Sequence, residues 1–315
     1  MRIWNAEENA HKEAILGMMF ARPEKYRQLQ TDYGYGLYLA DLQQRRVRII
    51  INGGGGYGPM WPGFADEGLA DAMVHGDFNC APNAYVLYEM ARKIECGCGV
   101  LFLANHFMGD YLNNEMAVEL LAHDGISAKA CYVSDDILSC AGEKKESRGG
   151  LHGIAQACKA VAATVKEGAS LGEAYALAEK VNQRLRSVSA NIHGRKLLFG
   201  QGFSGEPATV IKKYENAGQL VREACDILLQ ETEEWREDAY YISVNSNSSV
   251  GYTESFVLLH TVSEELKSRG LWVQGGAVGT YFDVFEGSGC MISLLACDRE
   301  LQKFIRPVAG YGFVV

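Results

Sequence analysis

The sequence predicts an α/β protein of two domains, each with a mostly parallel or mixed sheet flanked by helices. Three observations carry this expectation. The chain has 315 residues, which suits two medium domains at roughly 150 residues each. Short apolar runs rich in Val and Ile alternate with stretches at helical spacing, the pattern of strand–helix–strand units. Glycine supplies 35 of those 315 residues against only 6 prolines, an excess over the usual ~7%. The glycines gather where apolar runs end rather than forming a low-complexity tract.

Taken in order, Glu13 to Phe20 has the spacing of a short amphipathic helix before Pro23. Arg46 to Ile51 reads as a strand running into the loop Asn52–Pro59, which holds four consecutive glycines. Val100 to Leu103 is a second strand, entering the loop Asn105–Asp110, and Leu112 to Leu121 has helical spacing. Ala128 to Val133 is a third strand, ending at Ser134-Asp135-Asp136. Two helices follow, Leu151 to Lys166 and a second that opens on the capping box Ser170-Leu171-Gly172-Glu173 and runs to about Arg186. The polar, glycine-rich stretch Asn191 to Pro207 is the expected connection between domains, placed at 1–188 and 189–315. Beyond it come a helix from Ala217 to about Trp235, a strand Ala239 to Val244 and a helix Thr253 to Ser268. Strands Leu271–Gln274 and Met291–Leu295 complete the second unit.

The formal net charge of −9 argues against direct nucleic-acid binding, which needs a basic field to meet phosphates. No stretch approaches ~18 consecutive apolar residues, so no membrane-spanning helix is expected. The first twenty residues place charges inside the apolar run and do not read as a signal peptide. Nine scattered cysteines suit reduced, mostly buried thiols in a cytoplasmic protein. The pair Cys96-Gly97-Cys98 lacks a second pair or a histidine at zinc spacing, so no metal site is expected.

Three loops are placed to carry chemistry, because in open α/β sheets ligands collect where strands end. In the first, Gly53, Gly55 and Gly58 formally satisfy the dinucleotide fingerprint. Pro59 and Pro62 block the helix that would hold a pyrophosphate, and no acidic strand end follows. A tight strand exit and a small polar-ligand pocket remain as its two uses. In the second loop, Asp110 precedes a helix and suits either an N-cap or a carboxylate that takes a proton from a substrate hydroxyl. His106 beside it reads as a packed or solvated ring or as a catalyst. The third loop, Gly200 to Pro207, sets Ser204 between glycines without the spacing of a hydrolase nucleophile elbow.

Together the loops resemble those of the dihydroxyacetone kinase substrate-binding subunit (DhaK-like) family. Its Gly-Gly-Gly-Ser-Gly-His-Glu-Pro loop is matched by residues 52–59, and a later Gly-Phe…Gly by Gly63-Phe64-Ala65-Asp66-Glu67-Gly68. Its Lys-Asn-Tyr-Thr-Gly-Asp loop is matched by Asn105-His106-Phe107-Met108-Gly109-Asp110, followed by Leu112-Asn113. Its Gly-Ile-His-Gly-Glu-Pro loop is matched by Gly202-Phe203-Ser204-Gly205-Glu206-Pro207. Shorter matches at Gly76-Asp77-Phe78, Ser134-Asp135-Asp136, Val244-Asn245 and Val278-Gly279-Thr280-Tyr281 keep the family order over nearly the whole chain.

The resemblance implies a homodimer whose ligand site lies mainly on the first domain. It also implies a separate nucleotide-binding, DhaL-like subunit that holds ATP, ADP or another phosphoryl donor, with no cofactor on this chain. It assigns Asp110 as the catalytic base and Gly54, Gly55, Tyr57, Asn105, His106 and Ser204 as contacts to a small ketose or polyol. The departures are equally specific. Ser204 stands where the family has the histidine that bonds covalently to substrate, Tyr57 replaces a second histidine, and Asn105 replaces a lysine. Of the polar reaction centre Asp110 alone is kept. A kinase subunit for a ketose or polyol is therefore the first expectation. A degenerate paralogue acting as a ligand sensor or regulatory co-activator subunit is the alternative. An aldol- or isomerase-type reaction using Asp110 and His106 is a third.

Overall fold

Apolar runs form the central strands and the helices pack over them. The computed structural model describes residues 4–56, 62–140, 144–202, 205–247, 249–283 and 288–305. Its contacts divide the chain into two units, Met1–Tyr132 with Val161–Ala178, and Val133–Ala160 with Glu179–Val315.

The first unit opens with α1 (Ala10–Ala21) and the antiparallel hairpin β1 (Tyr26–Thr31) and β2 (Gly34–Leu39). Then come β3 (Arg48–Gly55), β4 (Ala72–Phe78), α2 (Ala84–Ile94), β5 (Val100–Asn105), α3 (Met108–His123) and β6 (Ala128–Val133). They build one six-stranded sheet in the order β1-β2-β4-β3-β5-β6. β3 is parallel to both β4 and β5, while β2 joins β4 antiparallel, so the sheet is mixed. Ile49, Ile50 and Ile51 are fully buried at its centre, as a strand covered on both faces requires. Ile50, Val74 and Phe102 pack with Val86, Leu87 and Met90 of α2 and with Ala117 and Leu121 of α3.

The glycine run differs from the expected loop, because β3 continues through Gly53 to Gly55 and pairs with β4 as far as Gly55 opposite Phe78. A Cβ on Gly55 would lie 2.4 Å from the Gly76 carbonyl oxygen and 2.5 Å from the His11 ring. A Cβ on Gly76 would meet the Cys80 carbonyl oxygen at 1.9 Å. Backbone against backbone leaves no room for a side chain here.

The second unit contributes the first part of α4 (Ile154–Lys166), the end of α5 (Leu171–Gln183), β7 (Leu185–His193), β8 (Lys196–Phe199), β9 (Val210–Lys213) and α6 (Ala217–Leu228). β10 (Ala239–Ser246), α7 (Tyr252–Ser268), β11 (Trp272–Gly279) and β12 (Ser288–Cys297) complete it. The sheet order is β11-β10-β12-β7-β8-β9. Only β10–β11 pairs parallel; the other four pairings are antiparallel. One face carries Val188, Tyr240, Ile242, Val244, Ile292 and Leu294 against α6 and α7. The opposite, equally buried face presents Ser187, Ser189, Ser243 and Ser293.

Several boundaries depart from the sequence reading: α5 ends at Gln183 rather than near Arg186, which lies in β7, and α6 ends at Leu228 rather than near Trp235. The stretch Asn191–Pro207 is no simple linker: residues 191–193 and 196–199 are the β7–β8 hairpin, with Ile192 opposite Leu197 and His193 opposite Lys196. Gly194 at φ +59° supplies its two-residue turn. A division between residues 188 and 189 would fall inside β7. Residues 133–160 belong with the second unit because their start is stitched to β7. Ser187 donates its backbone N–H to Asp135 O at 2.7 Å, and Ile137 donates to Ser187 O at 3.0 Å.

The first sheet also buries charge. Asp71, fully buried, accepts from Ile49 N at 2.8 Å and from the Arg46 guanidinium at 3.0 and 2.6 Å. Arg48 lies 3.8 Å from the same carboxylate and donates to the carbonyls of Ile94 and Leu42. Removing one member of such a cluster strands the others. Asp71→Ala is expected to lower the unfolding free energy by about 3–5 kcal/mol, read as a lower urea midpoint at unchanged slope; an unchanged midpoint contradicts this account.

Candidate functional site

β3 and β5 run side by side in parallel with Asn52 opposite Ala104. The chain after each therefore emerges at the same edge of the sheet, the carboxyl ends where α/β proteins place ligands. β3 ends in Gly54 and Gly55, and β5 ends in Asn105, with His106 and α3 directly after it.

Three asparagines fix the first turn of α3. Asn52 and Asn114 are fully buried and join reciprocally: Asn52 Nδ2 donates to Asn114 Oδ1 at 3.0 Å, and Asn114 Nδ2 donates to Asn52 Oδ1 at 2.8 Å. Asn114 Nδ2 also donates to the Asp110 carbonyl at 2.8 Å. Beside it, Asn113 accepts from the Ala84 backbone N–H at 3.1 Å and donates to Gly109 O at 2.9 Å. The turn that carries Asp110 is thereby tied to the end of β3 on one side and to the start of α2 on the other.

Asp110 is not the N-cap that its place in the sequence allows. The cap position is Phe107, which makes no side-chain cap bond, and Asp110 is the third residue of the helix. Its side chain is 5% exposed, and Oδ1 has no hydrogen-bond partner among the described residues. Burial raises its carboxyl from the ordinary 3.8 to about 7, because a carboxylate without water or a counter-charge is costly. Asn105 is 1% exposed, and neither its Oδ1 nor its Nδ2 finds a partner among the described residues. An amide left open at that depth offers one acceptor and two donors to whatever enters. His106 is half-buried and edges against Tyr111 and Tyr132, each at 6.3 Å between ring centroids. The Tyr132 hydroxyl donates to Glu115 at 2.7 Å.

Of the sequence-predicted contacts, Gly54, Gly55, Asn105, His106 and Asp110 belong to the first unit and stand at the strand ends or in the turn after them. The close backbone approaches already account for Gly55, and Gly54 would put a Cβ 3.3 Å from Cys80 O. Tyr57 and Ser204 lie outside the described residues; the loop holding Ser204 is part of the second unit. Sequence reasoning missed Asn52 and Asn114. The spacing of Asn114 four residues after Asp110 was the available signal, since i and i+4 share a helix face.

The Dak1 domain profile matches residues 16–309. The chain belongs to the Dak1 domain family. It is 28% identical to the dihydroxyacetone-binding subunit DhaK of a PTS-dependent dihydroxyacetone kinase 2 of Listeria innocua, over 96% of each chain. It is 27% identical to the L-erythrulose 1-kinase of Mycolicibacterium smegmatis, covering 95% of this chain but 55% of that one. The chain thus spans about half the length of the longer kinases it matches. The DhaKLM operon coactivator DhaQ of Lactococcus lactis is 24% identical over 97% of this chain and 96% of its own. Among solved structures, one described as regulation of the dha operon of Lactococcus lactis superposes with a TM-score of 0.87 at 23% identity, over 96% of this chain and 95% of that one. This Dak1 chain is therefore a DhaK-like protein in fold and family, with two mixed α/β sheets. No helix among its described residues is long and apolar enough to cross a membrane.

The raised carboxyl of Asp110 has a thermodynamic signature. Its folded-state pKa, about 7, lies above the ordinary 3.8, so the folded state holds the proton more tightly than the unfolded one. The cost is absent below pH ~4, grows as pH rises towards ~7, and is constant above that. Asp110→Asn removes it. Urea unfolding should show the variant about 1–4 kcal/mol more stable than wild type at pH 8 and little changed at pH 4. Equal effects at both pH values contradict the assignment.

Proposed function

We propose that this chain is the substrate-binding subunit of a phosphotransferase acting on a small ketose or polyol. Asp110 is its general base, and a separate nucleotide- or phosphoryl-carrying, DhaL-like subunit supplies the donor. The observation that carries the reading is the buried carboxyl of Asp110 in the first turn of α3, raised by burial to about 7 and with no hydrogen-bond partner for Oδ1 among the described residues. A base works best when its pKa lies near the working pH and its lone pair is free for the incoming hydroxyl. Phosphoryl transfer depends on positioning and electrostatic stabilisation more than on covalent help from the protein, so the histidine replaced by Ser204 is dispensable to it. Asn105, with neither amide atom bonded among the described residues, pairs with a ligand oxygen and hydroxyl; Gly54, Gly55, Tyr57, His106 and Ser204 complete the contacts in this reading. The names of the Listeria and Mycolicibacterium relatives support dihydroxyacetone and a four-carbon ketose as ligands to try first.

A second reading is favoured by the DhaQ likeness and by the replaced polar residues Tyr57, Asn105 and Ser204. In it the chain binds a ligand and regulates as a co-activator subunit without turning the ligand over.

The test mixes the purified chain with a DhaL-like subunit, its phosphoryl donor and a panel of three- to five-carbon ketoses, and follows phosphate ester. Ester should form, and Asp110→Asn should slow it by about 10²–10⁴-fold. No ester with any pairing, or an unchanged rate for Asp110→Asn, overturns the kinase reading; ketose binding by calorimetry without ester then selects the regulator. Intact mass after borohydride treatment should show no ketose adduct, and light scattering should show the homodimer that belongs to either reading.

A further inference from the structure

The second unit holds a buried polar chain that the proposed reaction does not use. Ser187 on β7, Ser293 on β12 and Ser243 on β10 stand directly opposite one another across three adjacent strands. All three, with Asp135 and His152, are 2% exposed or less. Asp135 Oδ1 accepts from Leu151 N at 2.6 Å, and its Oδ2 accepts from Gly153 N at 3.0 Å. Oδ2 is also hydrogen-bonded to the Ser187 hydroxyl, and that hydroxyl to the Ser293 hydroxyl. Ser293 Oγ lies 3.2 Å from His152 Nδ1, and His152 Nε2 lies 3.2 Å from Ser243 O.

Counting hydrogens decides the state of this chain. The links are Asp135–Ser187, Ser187–Ser293, Ser293–His152 and His152–Ser243 O, and each needs one hydrogen between its atoms. The two hydroxyls supply one each, and a neutral imidazole supplies one. The remaining hydrogen has to come from the Asp135 carboxyl or from a second N–H on His152. An ionised Asp135 beside a neutral His152 leaves two buried acceptors facing each other, at a cost comparable to an unmade hydrogen bond.

We propose that Asp135 and His152 share a single acidic proton through the hydroxyls of Ser187 and Ser293, making a buried proton relay. In one end form Asp135 is a carboxylic acid that donates to Ser187, Ser187 donates to Ser293, and Ser293 donates to His152 Nδ1. In the other, each hydroxyl has passed on one proton and received one, leaving a carboxylate and an imidazolium. Both forms carry the same net charge.

Burial pushes the His152 ring down to about 3 and the Asp135 carboxyl up, which places the resting proton on Asp135. The groups facing the two ends are Lys145 and Asp136 near the carboxyl and the Tyr281 ring stacked on the imidazole at 6.0 Å. The relay fastens the connection between β6 and α4 to the three strands without burying a net charge. It is independent of the proposed phosphotransfer, and its test needs no ligand.

The test is NMR on the intact chain between pH 6 and 9, with the Asp135 carboxyl carbon assigned through its backbone and the His152 ring nitrogens observed directly. The expected spectrum has Asp135 protonated throughout, His152 protonated at Nε2 and bare at Nδ1. A carboxylate with an imidazolium is the other end form and also supports sharing. An ionised Asp135 beside a neutral His152 overturns the proposal. Ser293→Ala cuts the relay, so the Asp135 pKa should fall by about one unit or more; an Asp135 that titrates as in wild type shows burial acting alone and also overturns it. Should that variant not fold, the wild-type spectrum still decides.

Discussion

The reciprocal amide bond between Asn52 and Asn114 is the interaction on which the candidate site rests. A buried amide left unpaired costs about 1–3 kcal/mol, and each of these two satisfies the other at the interface of a strand and a helix. Asn114 spends its second N–H on the Asp110 carbonyl, so the turn bearing that carboxyl is held against β3. Asn105 sits at similar depth on the next strand with neither amide atom bonded among the described residues. Of these three asparagines, two hold the fold and one has its amide unpaired among the described residues. Open polar groups at that depth are what a binding site provides and what a core avoids.

Glycine has a similar double character here. The run 53–56 invites a dinucleotide-loop reading, yet the close approaches at Gly55 and Gly76 follow from β3, β4 and the turn after β4 lying backbone against backbone. Those contacts are sufficient cause for glycine whether or not a ligand is near. In the second unit Gly194 does a different task, supplying the left-handed residue of a hairpin.

The strands β3, β5, β6, β10 and β12 are legible because each contains a short stretch rich in apolar residues with turn residues at its end, and the capping box at Ser170 is legible as a motif. It forms as read: Ser170 N donates to Glu173 at 2.8 Å, and Glu173 N to Ser170 Oγ at 3.3 Å. β4 was hidden because His75 and Gly76 interrupt its apolar run, and the β1–β2 hairpin because its residues are half-exposed and mixed. The β7–β8 hairpin was mistaken for a linker because Asn191, His193 and Gly194 outweigh the alternating Ile192, Leu197 and Phe199 in composition. Pairing with β12 and β9 resolves what composition leaves open.

By itself the sequence determined the α/β class, the family and the prominence of Asp110, since strand periodicity, loop motifs and their order are all local properties written along the chain. Only the tertiary structure decided that Asp110 lies inside α3 rather than at its cap and that the Asn105 amide is unpaired among the described residues. It likewise decided that Asp135 and His152 end one hydrogen-bonded chain. Whether a buried polar atom is satisfied depends on partners brought from far away, 62 positions for Asn52 and Asn114 and 141 for Ser293 and His152. No local pattern encodes such a pairing, because the hydrogen bond exists only once the strands and helices that carry its two ends have packed.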